Sequence, residues 1–246
     1  MSQYLTTGDG RRIAYRHLAG TGPGVVFLGG FKSDMTGTKA MYLQDWAQRT
    51  GRGFLRFDYS GHGDSSGSFE DGSIGDWAAD ARAVLESLTD GPQVLVGSSM
   101  GGWIGLLLAR ALPQRVAGLV TVAAAPDFTE HGYWAGFDQA QRDTLMRHGR
   151  LEVPSEYDDQ PYVITRRLIE DGRERLVMNQ PLRLPFPVRM LQGTADADVP
   201  MDWALRLLDH ARGDDIRLTL VKGADHRFST PECLSLITRS IEDVAG

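Results

Sequence analysis

Two kinds of apolar spacing alternate along this chain. Short runs rich in Val, Leu, Ile and Phe occur at residues 25–28, 94–96 and 116–124, and strand-like stretches with polar residues among the apolar ones at 54–58, 188–192 and 216–221. Runs of that length and composition predict strands of a parallel sheet buried on both faces. Between them, apolar residues recur every three or four positions, which predicts helices near 38–49, 74–88, 100–112, 201–211 and 232–244. In the second of these, Trp77, Ala81, Val84, Leu85 and Leu88 share one face. Residues 3–18 read as two further strands around a Gly8-Asp9-Gly10 turn, and 20–24 as a loop. The rhythm stops at Pro126. From 127 to 187 no good strand appears, only helical stretches near 139–146 and 162–177. The expectation is an α/β fold with a mostly parallel eight-stranded sheet and helices on both faces. Its core is 1–126 with 188–246, and 127–187 is a helical lid insertion. No internal repeat or low-complexity segment interrupts this plan.

Candidate chemistry concentrates where the run at 94–96 meets the helix at 100. Gly97-Ser98-Ser99-Met100-Gly101 reads G-x-S-x-G in a strand-turn-helix setting. A bend that sharp has no room for side chains two residues either side of its centre, so glycine is needed at both places. The centre, Ser99, is the candidate nucleophile. Gly63-Asp64-Ser65-Ser66-Gly67 has the same pattern, but a polar loop follows it and no helix, so Ser65 is read as a decoy. Ser98 is a poor rival, since it would put Val96 and Met100 where small residues are required.

A serine hydroxyl needs a base, and the base needs an orienting acid. Of six histidines, His226 follows a predicted strand in a loop at the carboxyl edge of the sheet, where open α/β sheets bind ligands. G-x-S-x-G sites run in the order Ser, acid, His. His62 precedes Ser99 and is read as structural. His17, His131, His148 and His210 have no supporting pattern. For the acid, order and loop placement favour Asp196, with Asp198 and Asp127 as alternatives; Asp198 also suits a helix cap. Asp225 is read as a local loop carboxylate. Two N–H donors complete an acyl-transfer site: Met100, after the nucleophile, and Phe31, in the glycine-rich loop after the first parallel strand.

Composition narrows the partners. A net charge of −6 argues against nucleic acid or an anionic membrane as the main partner. No apolar stretch approaches the roughly eighteen residues of a membrane span. One cysteine, Cys233, leaves no internal disulfide. The first ten residues show neither a signal peptide nor a transit pattern, so a cytoplasmic location is expected. The glycines of 61–67 fail as a dinucleotide fingerprint, and Asp and His show no metal spacing, so no cofactor or metal is expected. The expected partner is a small-molecule substrate.

Residues 30–40, 56–61 and 90–103, with Asp225-His226-Arg227, resemble the family of α/β-hydrolase domain-containing protein 10. That resemblance implies the α/β-hydrolase fold, a palmitoyl-protein thioesterase or acyl-glucuronide esterase activity, and with it an acylated protein as a candidate substrate beside a small molecule. It places the triad on Ser99, Asp196 and His226 and makes 127–187 the lid. The expected function is a serine hydrolase of carboxylic esters or thioesters working through an acyl-enzyme. The alternative is a receptor-type protein on this fold with little turnover. Six aromatics of the insertion, Phe128, Tyr133, Trp134, Phe137, Tyr157 and Tyr162, are candidates to line an apolar acyl pocket.

Overall fold

The computed structural model describes residues 2–154 and 161–246. In chain order its elements are β1 (Gln3–Thr6), β2 (Arg12–Leu18), β3 (Thr21–Leu28), α1 (Thr38–Thr50), β4 (Arg52–Phe57), α2 (Ile74–Leu88), β5 (Gln93–Ser98), α3 (Met100–Ala111) and β6 (Val116–Val122). There follow a π-helical turn (Thr129–Trp134), α4 (Gln139–His148), β7 (Arg150–Val153), β8 (Tyr162–Thr165), α5 (Arg166–Arg173) and β9 (Leu182–Arg183). The chain closes with β10 (Val188–Gly193), α6 (Met201–His210), β11 (Ala211–Arg212), β12 (Ile216–Val221) and α7 (Pro231–Ala245).

Eight strands form one sheet in the order β1-β2-β4-β3-β5-β6-β10-β12. β2 runs antiparallel to β1 and β4; every other pair is parallel. Side chains alternate across a strand, so the sheet faces two cores. Val94 and Val96 of β5 meet α1 and α7 through Leu43, Ala47, Ile237 and Ile241. Leu95, between them, joins the core of α2 and α3 with Trp77, Leu85, Trp103 and Ile104. Both faces of β5 are covered, which is why 94–96 is a continuous apolar run in the sequence.

Two expectations need correction. Residues 20–24 are not all loop: β3 begins at Thr21, pairs with Arg52, and shifts register before Val25. The segment between β6 and β10 is not purely helical either. Leu151 and Val153 pair with Ile164 and Tyr162 in an antiparallel β7–β8 hairpin, and β9 pairs with β11. The stretch expected as one helix over 162–177 is a strand followed by the short α5. Tyr162, Val163, Ile164 and Thr165 are all β-formers, and the Thr165 side chain then accepts the Leu168 N–H as the N-cap of α5.

Candidate active site

The turn between β5 and α3 is as tight as its glycines suggest. A Cβ at Gly97 would lie 2.3 Å from the Gly101 carbonyl oxygen, and one at Gly101 would lie 2.0 Å from that of Leu28. Both obstacles are backbone, so only glycine fits. Ser99, between them, has φ 54° and ψ −119°, a region that non-glycine residues rarely occupy. Its backbone is pinned on both sides. Its N–H donates to Val122 O at 2.9 Å, and its carbonyl accepts from Gly102 at 2.9 Å and Ala125 at 3.1 Å. Strain held this way is affordable only because the surroundings over-determine it.

His226 lies in the loop after β12. Its Nδ1 is 2.9 Å from Asp196 Oδ2, and its Nε2 is 3.1 Å from Ser99 Oγ. A carboxylate only accepts, so Nδ1 carries the proton and the bare Nε2 accepts the serine hydroxyl. The Asp196 carboxylate is held from several sides. Oδ1 accepts the N–H groups of Asp198 and Val199 at 3.0 and 2.9 Å, and Oδ2 also accepts Gln192 Nε2 at 3.0 Å. Burial pushes its pKa up. The His226 hydrogen bond and the Val199 N–H outweigh that and hold it below the ordinary carboxylate value. Asp196 therefore stays an anion beside the imidazole.

The rivals make other contacts. Asp198 is exposed, does not cap α6, and has a carboxylate oxygen within 4.8 Å of Asp196 and of a His226 nitrogen. These three residues bring metal-type donors together, but His226 already spends both nitrogens on Asp196 and Ser99. A cation there would have to break that chain. Asp127 is buried, and its two oxygens accept the N–H groups of Val177 and Met178, each at 2.9 Å. Asp225 accepts the Phe228 N–H at 3.1 Å, a contact within its own loop. Ser65 Oγ donates to Asp58 O at 2.7 Å and accepts the Ala14 N–H at 2.8 Å, which pins the decoy loop to β2. His62 is buried against Tyr59, Phe69 and Trp77.

On the other side of Ser99 stands the loop after β3. A Cβ at Gly30 would sit 3.5 Å from that of Ser99, so this backbone packs directly on the serine. Phe31 follows, and among the described residues its N–H makes no hydrogen bond. Met100 is the first residue of α3, where an N–H has no intrahelical acceptor. The Phe31 ring lies edge-on to Phe69 at 4.8 Å, Phe128 at 5.5 Å and Tyr162 at 5.8 Å between centroids.

A cleft of about 870 Å³ opens over Ser99 and His226. Phe31, Phe128, Tyr133, Tyr162 and Trp203 give it an aromatic side, and Thr38, Lys39 and Ser229 a polar one. Three of the six aromatics expected to line a pocket therefore do so. Phe137 packs in the core against Tyr133, and Trp134 lies under Arg173 and Arg142. Tyr157 lies outside the described residues. Trp203 and Lys39 carry no sequence signal, because tertiary packing alone brings them here. Lys39 donates to Arg227 O at 2.5 Å beside His226, and burial pulls its pKa down to about 8.

The α/β hydrolase fold family matches residues 25–152. The bovine mitochondrial palmitoyl-protein thioesterase ABHD10 is 34% identical over 245 residues, 98% of this chain and 79% of that protein. Among solved structures, a putative hydrolase from Agrobacterium vitis S4 superposes with a TM-score of 0.96 at 41% identity, covering 100% of this chain and 99% of its own. Mouse α/β hydrolase domain-containing protein 10 gives 0.92 at 30% identity, covering 99% and 98%. The cytoplasmic location expected above is overturned by these relatives. The bovine, rat, mouse, orangutan and human proteins are all named mitochondrial, which contradicts it. A transit pattern is only one of several signals for location, so the first ten residues could not decide it. By family model, by identity over nearly its whole length and by fold, the chain belongs to the α/β hydrolases and, among them, to the ABHD10 family of hydrolytic enzymes.

Proposed function

We propose that Ser99, His226 and Asp196 are the catalytic triad of a serine esterase or thioesterase. The observation that carries this reading is the hydrogen-bonded chain Asp196–His226–Ser99 at the floor of the cleft. His226 takes the Ser99 proton as the hydroxyl oxygen attacks the acyl carbon, and Asp196 stabilises the resulting imidazolium. The Phe31 and Met100 N–H groups receive the charge that develops on the carbonyl oxygen. His226 then protonates the leaving alcohol or thiol, and a water activated by the same imidazole releases the acid.

Residues 127–187 act as the lid over a core made of 1–126 and 188–246. Supporting this division, the insertion contributes Phe128, Tyr133 and Tyr162 to the cleft wall, and Asp127 ties its start to Val177 and Met178. The aromatic wall suits an apolar acyl group, as do relatives named palmitoyl-protein thioesterase. A receptor-type role is not favoured, because those relatives are named for turnover.

A fluorophosphonate probe should label Ser99, and Ser99→Ala should abolish labelling; an adduct on Ser65 would overturn the assignment. Each buried methylene contributes about 0.8 kcal/mol, so kcat/KM for p-nitrophenyl esters and acyl thioesters should rise about fourfold per carbon until the cleft fills. A steady decline from acetate onward would exclude the lipid-thioesterase reading.

A further inference from the structure

The oxyanion loop does not hold its shape unaided. Lys32, directly after Phe31, has φ 57°, a left-handed backbone that a lysine adopts only when its neighbours impose it. The Lys32 N–H points at the Nε2 of His62, 3.3 Å away. His62 is buried, and its other nitrogen, Nδ1, lies 3.2 Å from Ser60 O. A backbone N–H can only donate and a carbonyl can only accept, so one tautomer satisfies both contacts. It is the neutral ring with its proton on Nδ1, donating to Ser60 and accepting from Lys32.

The anchor behind the ring is firm. Ser60 N and Oγ both donate to Asp80 Oδ2, at 2.9 and 2.7 Å, and Asp80 pairs with Arg11 at 3.0 Å. Trp77 Nε1 donates to Ser60 O at 3.0 Å, and the His62 ring meets Trp77 and Phe69 edge-on, each at 5.1 Å. The Phe31 ring touches the same two aromatics. Phe31 is thus bracketed, its ring held by Phe69 and Trp77 and the following peptide held by His62. Burial lowers the His62 pKa to about 4, so the bare Nε2 persists at neutral pH.

We infer that His62 is a positioning residue for catalysis, fixing the Lys32 peptide so that the adjoining Phe31 N–H is aimed at the oxyanion. This rests on the oxyanion role proposed for Phe31. A group that orients a transition-state donor acts on kcat and leaves ground-state binding alone.

The test compares His62→Met, which keeps an apolar filler without a strong acceptor, with His62→Gln, whose Oε1 reaches toward the vacated Nε2 position. Urea unfolding of each establishes that the chain is folded. His62→Met should lower kcat about ten- to hundredfold with KM within about twofold, since misplacement by an ångström costs about that much. It should weaken binding of an alkyl boronic acid, which forms a tetrahedral adduct on serine, by a similar factor, while the product fatty acid binds as before. His62→Gln should recover most of both losses. An unchanged kcat in folded His62→Met, a loss confined to KM, or a His62→Gln no better than His62→Met would each overturn the inference. Fluorophosphonate labelling of the wild type is run alongside. If Ser99 of the wild type is not labelled, the proposed function itself fails; if it is labelled and His62→Met is fully active, only the role of His62 fails.

Discussion

Replacing Asp127 separates structure from chemistry at the carboxylate that chain order leaves as a rival to Asp196. Asp127 has φ 59°, is buried, and accepts the N–H groups of Val177 and Met178. Asp127→Ala leaves those two N–H groups without acceptors, at about 1–3 kcal/mol each, and puts an alanine in left-handed backbone for about 1 kcal/mol more. Against this, the variant no longer buries a carboxylate, and burial already pushes the Asp127 pKa up. The net expectation is a loss of about 3–5 kcal/mol, a large part of the 5–15 kcal/mol typical of a folded domain. Asp127→Asn tolerates the backbone and keeps one acceptor but turns an amide N–H toward a donor, so it should lose about 2 kcal/mol. The assay is urea unfolding, with midpoint and slope both fitted, and kcat measured on the folded fraction. Stability should fall in the order Asp, Asn, Ala, while kcat stays within about tenfold of wild type. An Asp127→Asn chain that is as stable as wild type yet a thousandfold slower would refute this reasoning and make Asp127 the acid.

Three further outcomes follow from the geometry. Gly101→Ala would press a methyl group against the Leu28 and Gly29 carbonyls, at 2.0 and 2.5 Å; it should cost at least about 3 kcal/mol and about a hundredfold in kcat, read by urea unfolding and esterase rate. Asp196→Asn should lower kcat by about a thousandfold or more with the fold intact, because the amide favours the wrong imidazole tautomer, whereas Asp198→Asn should lower it far less. His62, ordinarily near 6.5 and here about 4, makes acid destabilising. The unfolded chain binds the extra proton between those values, so stability is full above about pH 6.5 and falls as pH drops toward 4. Measured against His62→Gln, which cancels the carboxylates, the wild type should lose about 3 kcal/mol between pH 7 and 4; a pH-independent difference would mean that the ring takes up its proton at the same pH in the folded and unfolded chains.

What was legible in the sequence is what local physics decides. A strand buried on both faces is mostly apolar, so 94–96 announced β5 outright and 188–192 announced β10 despite its buried Arg189 and Gln192. The turn at Ser99 was legible because its constraint acts over two residues each way, between Gly97 and Gly101. The hairpin of β7 and β8 was not, because Leu151 and Val153 read as strand only once Ile164 and Tyr162 lie opposite them. The same holds for Trp203 and Lys39, which reach the cleft from α6 and α1. His62 could be seen as a loop histidine, but its bond to Lys32 spans thirty residues and joins the loops after β3 and β4.

The choice among the carboxylates shows how topology finishes what spacing begins. Phe31 follows β3, Ser99 follows β5, Asp127 follows β6, Asp196 follows β10 and His226 follows β12. All therefore collect at one edge of the sheet, and position after a strand cannot rank Asp127 against Asp196. Strand order can. β10 pairs with β12, Gly193 lying opposite Val221, so the loops carrying Asp196 and His226 leave adjacent strand ends. They are stitched further by the Ala195 N–H on Ala224 O at 3.0 Å and the Gly223 N–H on Thr194 Oγ1 at 2.9 Å. β6 is one strand further away, and Asp127 leaves it with a left-handed φ and bonds residues 177 and 178 instead. From the loop after β10, Asp196 meets Nδ1 while Nε2 faces Ser99 beyond β5. β10 is the neighbour of β12 in the sheet, and Gln192 near its end, with Asp198 and Val199 in the loop that follows, donates hydrogen bonds that keep that carboxylate charged.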